Sequence, residues 1–253
     1  MKIPEITLHG KTVLITGAAR GAGQVYALAC AAAGAEVAAF DIDSLERTAE
    51  RVHSHTGRRI LEIRGDLRRV TDIRSMIDTT VAQFGRLDVL VNNAGVLKPL
   101  SITEVSEEEF DTTLEINLKA VFFACKYAAA HMMERRSGVI INIGSTLAHV
   151  GAAGHGVYCA AKGGVKSLTQ ALAIELGPYN IRVVTLSPGP IATEMIRSRM
   201  EDPELESHML ERTVLGRINE PEDVAQTLVL LASDASSTVT GCSWIVDSGI
   251  LAK

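Results

Sequence analysis

The 253-residue sequence predicts a single α/β domain: a doubly wound parallel sheet of about seven strands with helices on both faces. Three observations carry that prediction. Short runs rich in Val, Ile and Leu are apolar at consecutive positions rather than alternate ones, which suits strands covered on both sides. Between them lie stretches with helical spacing, bounded by Ser, Thr or Pro at one end and often Gly at the other. No linker, low-complexity tract or fixed-period repeat interrupts the alternation, so residues 1–253 read as one unit.

The first strand is TVLIT (12–16), followed by a Gly-rich turn and the Ala-rich helix QVYALACAAAG, for which Gly34 is the stop. The second cycle has the strand EVAAFD (36–41), Ser44 as N-cap, a charged helix through Thr56 and Gly57 as its end. The third has RILEIRG (59–65) as strand. Its helix opens at Thr71 with Ile73, Met76, Ile77, Val81 and Phe84 on one face, and Gly85 ends it. LDVLVNNAG (87–95) reads as strand and loop, Ser106 and Glu109 as a capping box, and the chain to about Met133 as helix. GVIINIGS (138–145) and IRVVTLS (181–187) are strands flanking a helix from about Val157 to Leu176. Pro221 starts the last long helix, and SWIVD (243–247) is the final strand.

Composition narrows the function classes. The net charge of −5 leaves no basic surplus for a phosphate backbone, which argues against nucleic acid as a partner. The N-terminus MKIPEITLHGK lacks the apolar core of a signal peptide, and the longest apolar stretch, around Val25 to Ala35, ends at Glu36 well short of a membrane span. A cytoplasmic protein without a membrane partner is expected. Cys30, Cys125, Cys159 and Cys242 form no CxxC pair, and His53 and His55 have no third ligand in local spacing, so no metal site is expected.

The turn after the first strand, Thr16-Gly17-Ala18-Ala19-Arg20-Gly21-Ala22-Gly23, sits between a strand and a helix, where backbone amides and the positive helix end suit a pyrophosphate. Asp41 closes the second strand 24 residues after Gly17, near the spacing at which a carboxylate reaches an adenosine ribose. A carboxylate there accepts hydrogen bonds from a free 2′-hydroxyl and repels a 2′-phosphate, which favours NAD. Arg20 is the counter-signal, a guanidinium that suits the 2′-phosphate of NADP.

Tyr158 and Lys162 are four apart and share one helix face. A neighbouring ammonium is expected to stabilise the phenolate and lower the phenol's pKa, so that Tyr158 exchanges a proton with an alcohol or ketone. Ser145 ends a strand 13 residues earlier, where its hydroxyl can polarise a substrate oxygen. Asn117, in the preceding helix, is a candidate to hold a water or a backbone bend near Lys162.

TGAARGAG, NNAG (92–95), Asn117, Ser145, the segment Tyr158-Cys-Ala-Ala-Lys162 and SPGPIATEM (187–195), in this order and spacing, resemble the classical short-chain dehydrogenase/reductase family over nearly the whole chain. The resemblance implies a Rossmann fold and a catalytic tetrad of Asn117, Ser145, Tyr158 and Lys162. In it Lys162 also holds the nicotinamide ribose and Asn117 supports a proton-relay water. It implies further that Asp66 and Leu67 contact the adenine, that Asn93 and Gly95 lie along the cofactor, and that Pro188, Ile191 and Thr193 hold the nicotinamide amide. With the Gly-rich turn, Gly17, Arg20, Gly21, Gly23 and Asp41 complete the expected cofactor set, which Tyr158 and Lys162 share. The sequence departs from the family's habit at Ala22, where Ile is usual, at Gly144, where a second Ser is frequent, and at DSG (247–249) in place of DGG.

Residues 191–215 carry Met195, Ile196, Met200, Leu205, Met209 and Leu210 among charges, and read as a lid over an apolar pocket for a neutral, mostly hydrophobic alcohol or ketone. His149 and His155 read as loop residues and Trp244 as a packing residue. The weakly charged helices 107–133 and 157–176 suggest a partner subunit, and the resemblance implies a homotetramer built through them. Three rivals remain: a non-catalytic dinucleotide-binding redox sensor, an epimerase or dehydratase on the same scaffold, and a methyltransferase, which would have no use for Tyr158 and Lys162.

Overall fold

Seven parallel strands form one sheet in the order β3-β2-β1-β4-β5-β6-β7 in the computed structural model, which describes residues 5–193, 202, 207 and 209–253. The strands are β1 (Thr12–Thr16), β2 (Glu36–Asp41), β3 (Leu61–Arg64), β4 (Val89–Asn92), β5 (Gly138–Ile143), β6 (Ile181–Pro188) and β7 (Ser243–Val246). Every residue of β1, β4 and β5 is buried, because each has a strand on either side and helices over both faces. The edge strand β3 alternates between partly buried and exposed, having lost cover on one face. It spans only four residues of the expected seven.

The helices divide between two apolar cores. On one face α1 (Gly21–Ala32), α2 (Glu46–Thr56) and α7 (Pro221–Ala232) bury Val25, Tyr26, Val52, Val224 and Leu228 against the odd-numbered positions of β1. On the other, α3 (Val70–Phe84), α5 (Ala120–Arg135) and α6 (Gly156–Leu176) bury Ile73, Met76, Ala124 and Val165 against Leu14, Leu90 and Ile140. The chain runs outward from β1 to β3 and then returns to β4 on the other side of β1. The connections that follow β1 and β4 therefore lead away in opposite directions, which opens a crevice at the carboxyl edge of the sheet.

Helix ends depart from the sequence reading in instructive ways. Gly57 and Gly85 close α2 and α3 in the left-handed conformation as expected. Ser44 is not the N-cap of α2; Leu45 is, although the Ser44 hydroxyl still accepts the Glu46 N–H at 3.4 Å. Helix α3 opens at Val70 rather than Thr71, and Asp72 in its first turn takes the Asp66 N–H at 3.0 Å. Ser106 caps α4 (Glu107–Leu114) by accepting the Glu109 N–H at 3.2 Å, but the other half of the box is missing, because the Glu109 carboxylate pairs with Lys98. The full capping box belongs to α7, between Glu220 and Asp223. Between α4 and α5 the chain does not continue as one α-helix: Glu115–Lys119 form a π-helical turn, with Asn117 buried in it.

A candidate dinucleotide cleft and catalytic centre

Two loops meet at the crevice and are tied to each other. Asn93 Nδ2 donates to the carbonyls of Thr16 at 2.9 Å and Gly17 at 3.0 Å, while Thr16 Oγ1 accepts the N–H groups of Asn93 and Ala94 at 3.1 and 3.2 Å. This approach leaves no room for side chains in the turn: a Cβ on Gly17 would lie 2.7 Å from Ala94 Cα, and one on Gly23 would lie 2.0 Å from the Gly17 carbonyl oxygen. Arg20 is the N-cap of α1 in an extended conformation without a side-chain cap, so the first turn's amides are left to the cleft. At Gly21 the nearest atom to an added Cβ is Thr193 Cγ2, 3.8 Å away across the opening.

The resulting cavity, about 690 Å³, is lined by Gly17, Arg20, Gly21, Gly23, Asp41, Asp66, Leu67, Asn93, Gly95 and Thr193, ten of the sequence-predicted cofactor residues in one place. Its size lies in the range of small-molecule and cofactor sites. A nicotinamide dinucleotide fits the donor set: helix-end amides for the pyrophosphate, and a carboxylate for the ribose. Asp41 is held rigidly, its Oδ2 accepting the Ala19 N–H at 2.8 Å and its Oδ1 the Asp43 N–H at 3.1 Å. The Arg68 guanidinium, hydrogen-bonded to Asp66 at 2.7 to 3.1 Å, holds that carboxyl below the usual carboxylate range. Arg68, Asp43, Val96 and Ile116 also line the cavity and were missed by the sequence reading; Asp43 and Arg68 each stand two residues after a predicted contact. Pro188, at the end of β6, and Ile191, bridged to Asn219, do not line it.

Beyond the cleft, β5 delivers Gly144 and Ser145. Ser145 caps the short turn Thr146–Ala148 by accepting the Leu147 N–H at 3.1 Å, and it hydrogen-bonds the Tyr158 phenol. One turn along α6, Lys162 is buried, 3% exposed, and its Nζ donates to the Ile143 carbonyl at 2.7 Å while lying 5.7 Å from the centre of the Tyr158 ring. Helix α6 is pinned from beneath by a buried polar chain: Asn92 Nδ2 to Asn142 Oδ1 at 2.8 Å, Asn142 Nδ2 to Thr169 Oγ1 at 3.0 Å, and Thr185 Oγ1 to Thr169 Oγ1 at 2.9 Å. Asn117 braces the loop after β4. Its Nδ2 donates to the Val96 and Thr113 carbonyls at 2.9 Å, and its Oδ1 accepts the Val96 N–H at 3.2 Å.

The electrostatics correct one expectation. Lys162 does not lower the Tyr158 pKa here; burial pushes the phenol up to about 12, with the Ser145 hydrogen bond pulling the other way. Burial likewise takes Lys162 down to about 8. Its ammonium is committed to the Ile143 carbonyl and faces the ring, and the loss of water outweighs that attraction.

The departures from the family's habit have local causes. A Cβ at Gly144 would lie 2.5 Å from Ser187 Oγ, whose hydroxyl pairs with Ser243 at 2.8 Å; Ser243 in turn bonds His149 Nε2 at 2.9 Å. His149 is therefore engaged with β7, and burial lowers its pKa, helped by the nearby Lys166 charge. His155 bonds the Ala153 carbonyl. Trp244 is 38% exposed on the last strand, less packed than expected. Of the expected lid, Met195, Ile196, Met200 and Leu205 lie outside the described residues, and Met209 and Leu210 are partly buried. Among the described residues no helix is long and apolar enough to cross a membrane, and no cluster of His, Cys, Asp and Glu could hold a metal ion.

The family model described as enoyl-(acyl carrier protein) reductase matches residues 17–251. The chain belongs to the short-chain dehydrogenase/reductase family. Members of this oxidoreductase family use a nicotinamide cofactor. The 2-dehydro-3-deoxy-D-gluconate 5-dehydrogenase of Escherichia coli (strain K12) is 37% identical and covers 100% of both chains. The cyclopentanol dehydrogenase of Comamonas sp. (strain NCIMB 9872) is 35% identical over 97% of this chain and 99% of its own. A crystal structure from Agrobacterium tumefaciens, described as a 2-deoxy-D-gluconate 3-dehydrogenase with bound NADP, matches with a TM-score of 0.91 at 34% identity and covers 100% of both chains.

Proposed function

We propose that this short-chain dehydrogenase/reductase oxidises a hydrophobic secondary alcohol or reduces the matching ketone, prefers NAD over NADP, and uses Tyr158 as its proton-transfer catalyst. The observation that carries the reading is the meeting of Ser145, Tyr158 and Lys162 at the carboxyl end of β5, next to a glycine-walled cleft that ends at Asp41. The cofactor, when bound, supplies or accepts the hydride. Tyr158 gives its phenolic proton to a ketone oxygen or takes one from an alcohol. Ser145, anchored by the Leu147 N–H, directs its hydroxyl to the same oxygen and polarises it. Lys162, buried one helical turn away with its Nζ 5.7 Å from the centre of the Tyr158 ring, would hold the nicotinamide ribose of the bound cofactor. Asn117, through Val96, holds the wall of the cleft in place.

Asp41 supports NAD because both its oxygens are fastened to backbone amides, so the carboxylate cannot swing away from a 2′-phosphate. Arg20, exposed at the same cleft, is the residue on which NADP use would depend. Exposed Val96, Leu97 and Val150, on the loops that follow β4 and Ser145, support an apolar substrate. A second reading, a sugar-acid dehydrogenase, is favoured by the similarity to the gluconate enzyme and by His155, a polar residue that lines a small cavity beside Tyr158. The expected setting is a cytoplasmic homo-oligomer; the four cysteines are unpaired, as a reducing compartment would leave them.

The test is absorbance at the reduced-nicotinamide band with NAD, then NADP, against cyclic secondary alcohols and sugar acids. Signal with NAD and the alcohols supports the reading; signal only with sugar acids transfers it to the second. Tight cofactor binding without net reduction would favour the redox-sensor or epimerase alternatives. Tyr158→Phe is expected to lose roughly 100-fold or more in turnover while cofactor affinity stays nearly unchanged; undiminished turnover would overturn the proton-transfer role.

A further inference from the structure

We propose that Asn219 and Ser248 form a positioning pair that locks the segment ending at Thr193 onto β7, and that this lock sets how tightly the cleft holds its dinucleotide. The cofactor half of the proposal rests on the dehydrogenase reading above. Ser248 stands where the family commonly has glycine, and its φ of +53° lies in the left-handed region. Arg136 and Asn180, the other described non-glycine residues with positive φ, are helix C-caps; Ser248 is not, so capping does not account for its conformation. What it gains is a hydrogen bond: its hydroxyl donates to Asn219 Oδ1 at 3.0 Å, with both residues buried.

Asn219 spends its remaining polar groups on the same junction. Its Nδ2 donates to the Val246 carbonyl at 2.6 Å, its own carbonyl accepts the Ala192 N–H at 2.8 Å, and its N–H donates to the Pro190 carbonyl at 3.3 Å. The Ser248 carbonyl accepts the N–H groups of Val214 at 2.8 Å and Leu215 at 3.2 Å. Three stretches, 190–193, 213–219 and the end of β7 with its turn, are thus tied at two residues, through their backbones and through the side-chain bond between them. Thr193, one residue past the Ala192 amide, is a wall of the cleft facing Gly21. A bond from the hydroxyl of Ser248 is thereby transmitted to a cofactor wall that Ser248 does not line.

The experiment compares Ser248→Gly with Ser248→Ala, because both delete the hydroxyl while only glycine relieves the left-handed backbone. The thermal midpoint is expected to be equal or higher in the Gly variant and lower in the Ala variant. NADH dissociation constants, read by nucleotide fluorescence, are expected to rise about three- to tenfold in both, the worth of one buried hydrogen bond. Amide exchange at Ala192 and Asn219, measured on the chain alone, is expected to speed up in both. Dissociation constants that follow the thermal midpoint, or exchange that stays at the parent rate in both variants, overturn the lock. A parent chain that binds no NADH overturns the dehydrogenase reading and the cofactor half of this proposal with it, and the exchange rates then judge the lock alone.

Discussion

Tyr26 carries a phenol sealed in the core beneath α1, and among the described residues its hydroxyl finds no partner. A buried donor left unpaired costs stability that folding does not recover, so Tyr26→Phe is expected to hold or raise the unfolding free energy by up to about 1 kcal/mol in urea. A clear loss would mean that the hydroxyl is bonded in solution. Lys162 gives a pH signature. Its pKa of about 8 in the fold lies below the ordinary 10.5, so between those values the unfolded chain binds more protons at this group and its contribution to stability rises with pH, by up to roughly 3 kcal/mol. Tyr158 acts oppositely above pH 10, since its raised pKa of about 12 makes the folded chain the better proton binder. Between about pH 7.5 and about pH 9.5 the urea midpoint should change more favourably in the parent than in Lys162→Met, which keeps only the opposing contribution of the buried Cys30 and Cys125 thiols, raised to about 12; parallel behaviour would refute the burial argument. The sequence announced both residues by their spacing. It could not announce the depth of burial, which comes from β5 and the loop after β4 and reverses the expected effect on the phenol.

At the scale of elements, legibility followed locality. Gly57 and Gly85 as helix ends were readable because the left-handed cap is set by the residue itself. The capping box was read at the wrong helix, because Ser106 and Glu109 carry the usual residue types while Glu109 is drawn away by Lys98, a partner eleven residues distant. The box that forms uses Glu220 as N-cap, an unusual choice that pattern alone does not flag. In it the Asp223 carboxylate accepts the Glu220 N–H at 2.8 Å and is held below the usual carboxylate range by Arg217. Asp223→Ala is expected to cost about 1 kcal/mol by thermal or urea unfolding; no loss would show that water caps α7 equally well. The π-helical turn around Asn117 was hidden for the same reason as the ion pair, since its brace partner, Val96, lies 21 residues upstream.

Across the whole molecule, a parallel sheet with two-sided helix cover was foreseeable, because the continuous apolar runs of the central strands demand cover on both faces, whereas an apolar run carries no information on strand order. Ten expected cofactor positions converge because the turn after β1, the ends of β2, β3 and β4 with their loops, and the segment after β6 all emerge at one sheet edge. Assembly beyond one chain is the scale least visible in a sequence. Phe110 on α4, Phe122 on α5 and Ile174 on α6 are 44%, 47% and 80% exposed, on helices suspected of carrying a second copy. A homotetramer is expected by sedimentation, and Phe122→Glu is expected to shift it toward smaller species while leaving far-ultraviolet dichroism unchanged. A parent that sediments as a monomer would refute this.

The tie between Thr16 and Asn93 also orders events in time. These partners stand 77 residues apart, and the floor beneath them is completed only when β4 docks beside β1. Closing so long a loop is paid in chain entropy before any contact repays it, so local helices and the β1–α1–β2 unit can form while the cleft is still absent. A chain emerging from the ribosome can present its Gly-rich turn early, yet the wall opposite that turn exists only after the second half of the sheet has begun to assemble. Nucleotide binding therefore reports a late stage of folding, and a ligand that binds only then draws its stabilising effect from the assembled sheet rather than from the turn that first meets the phosphates.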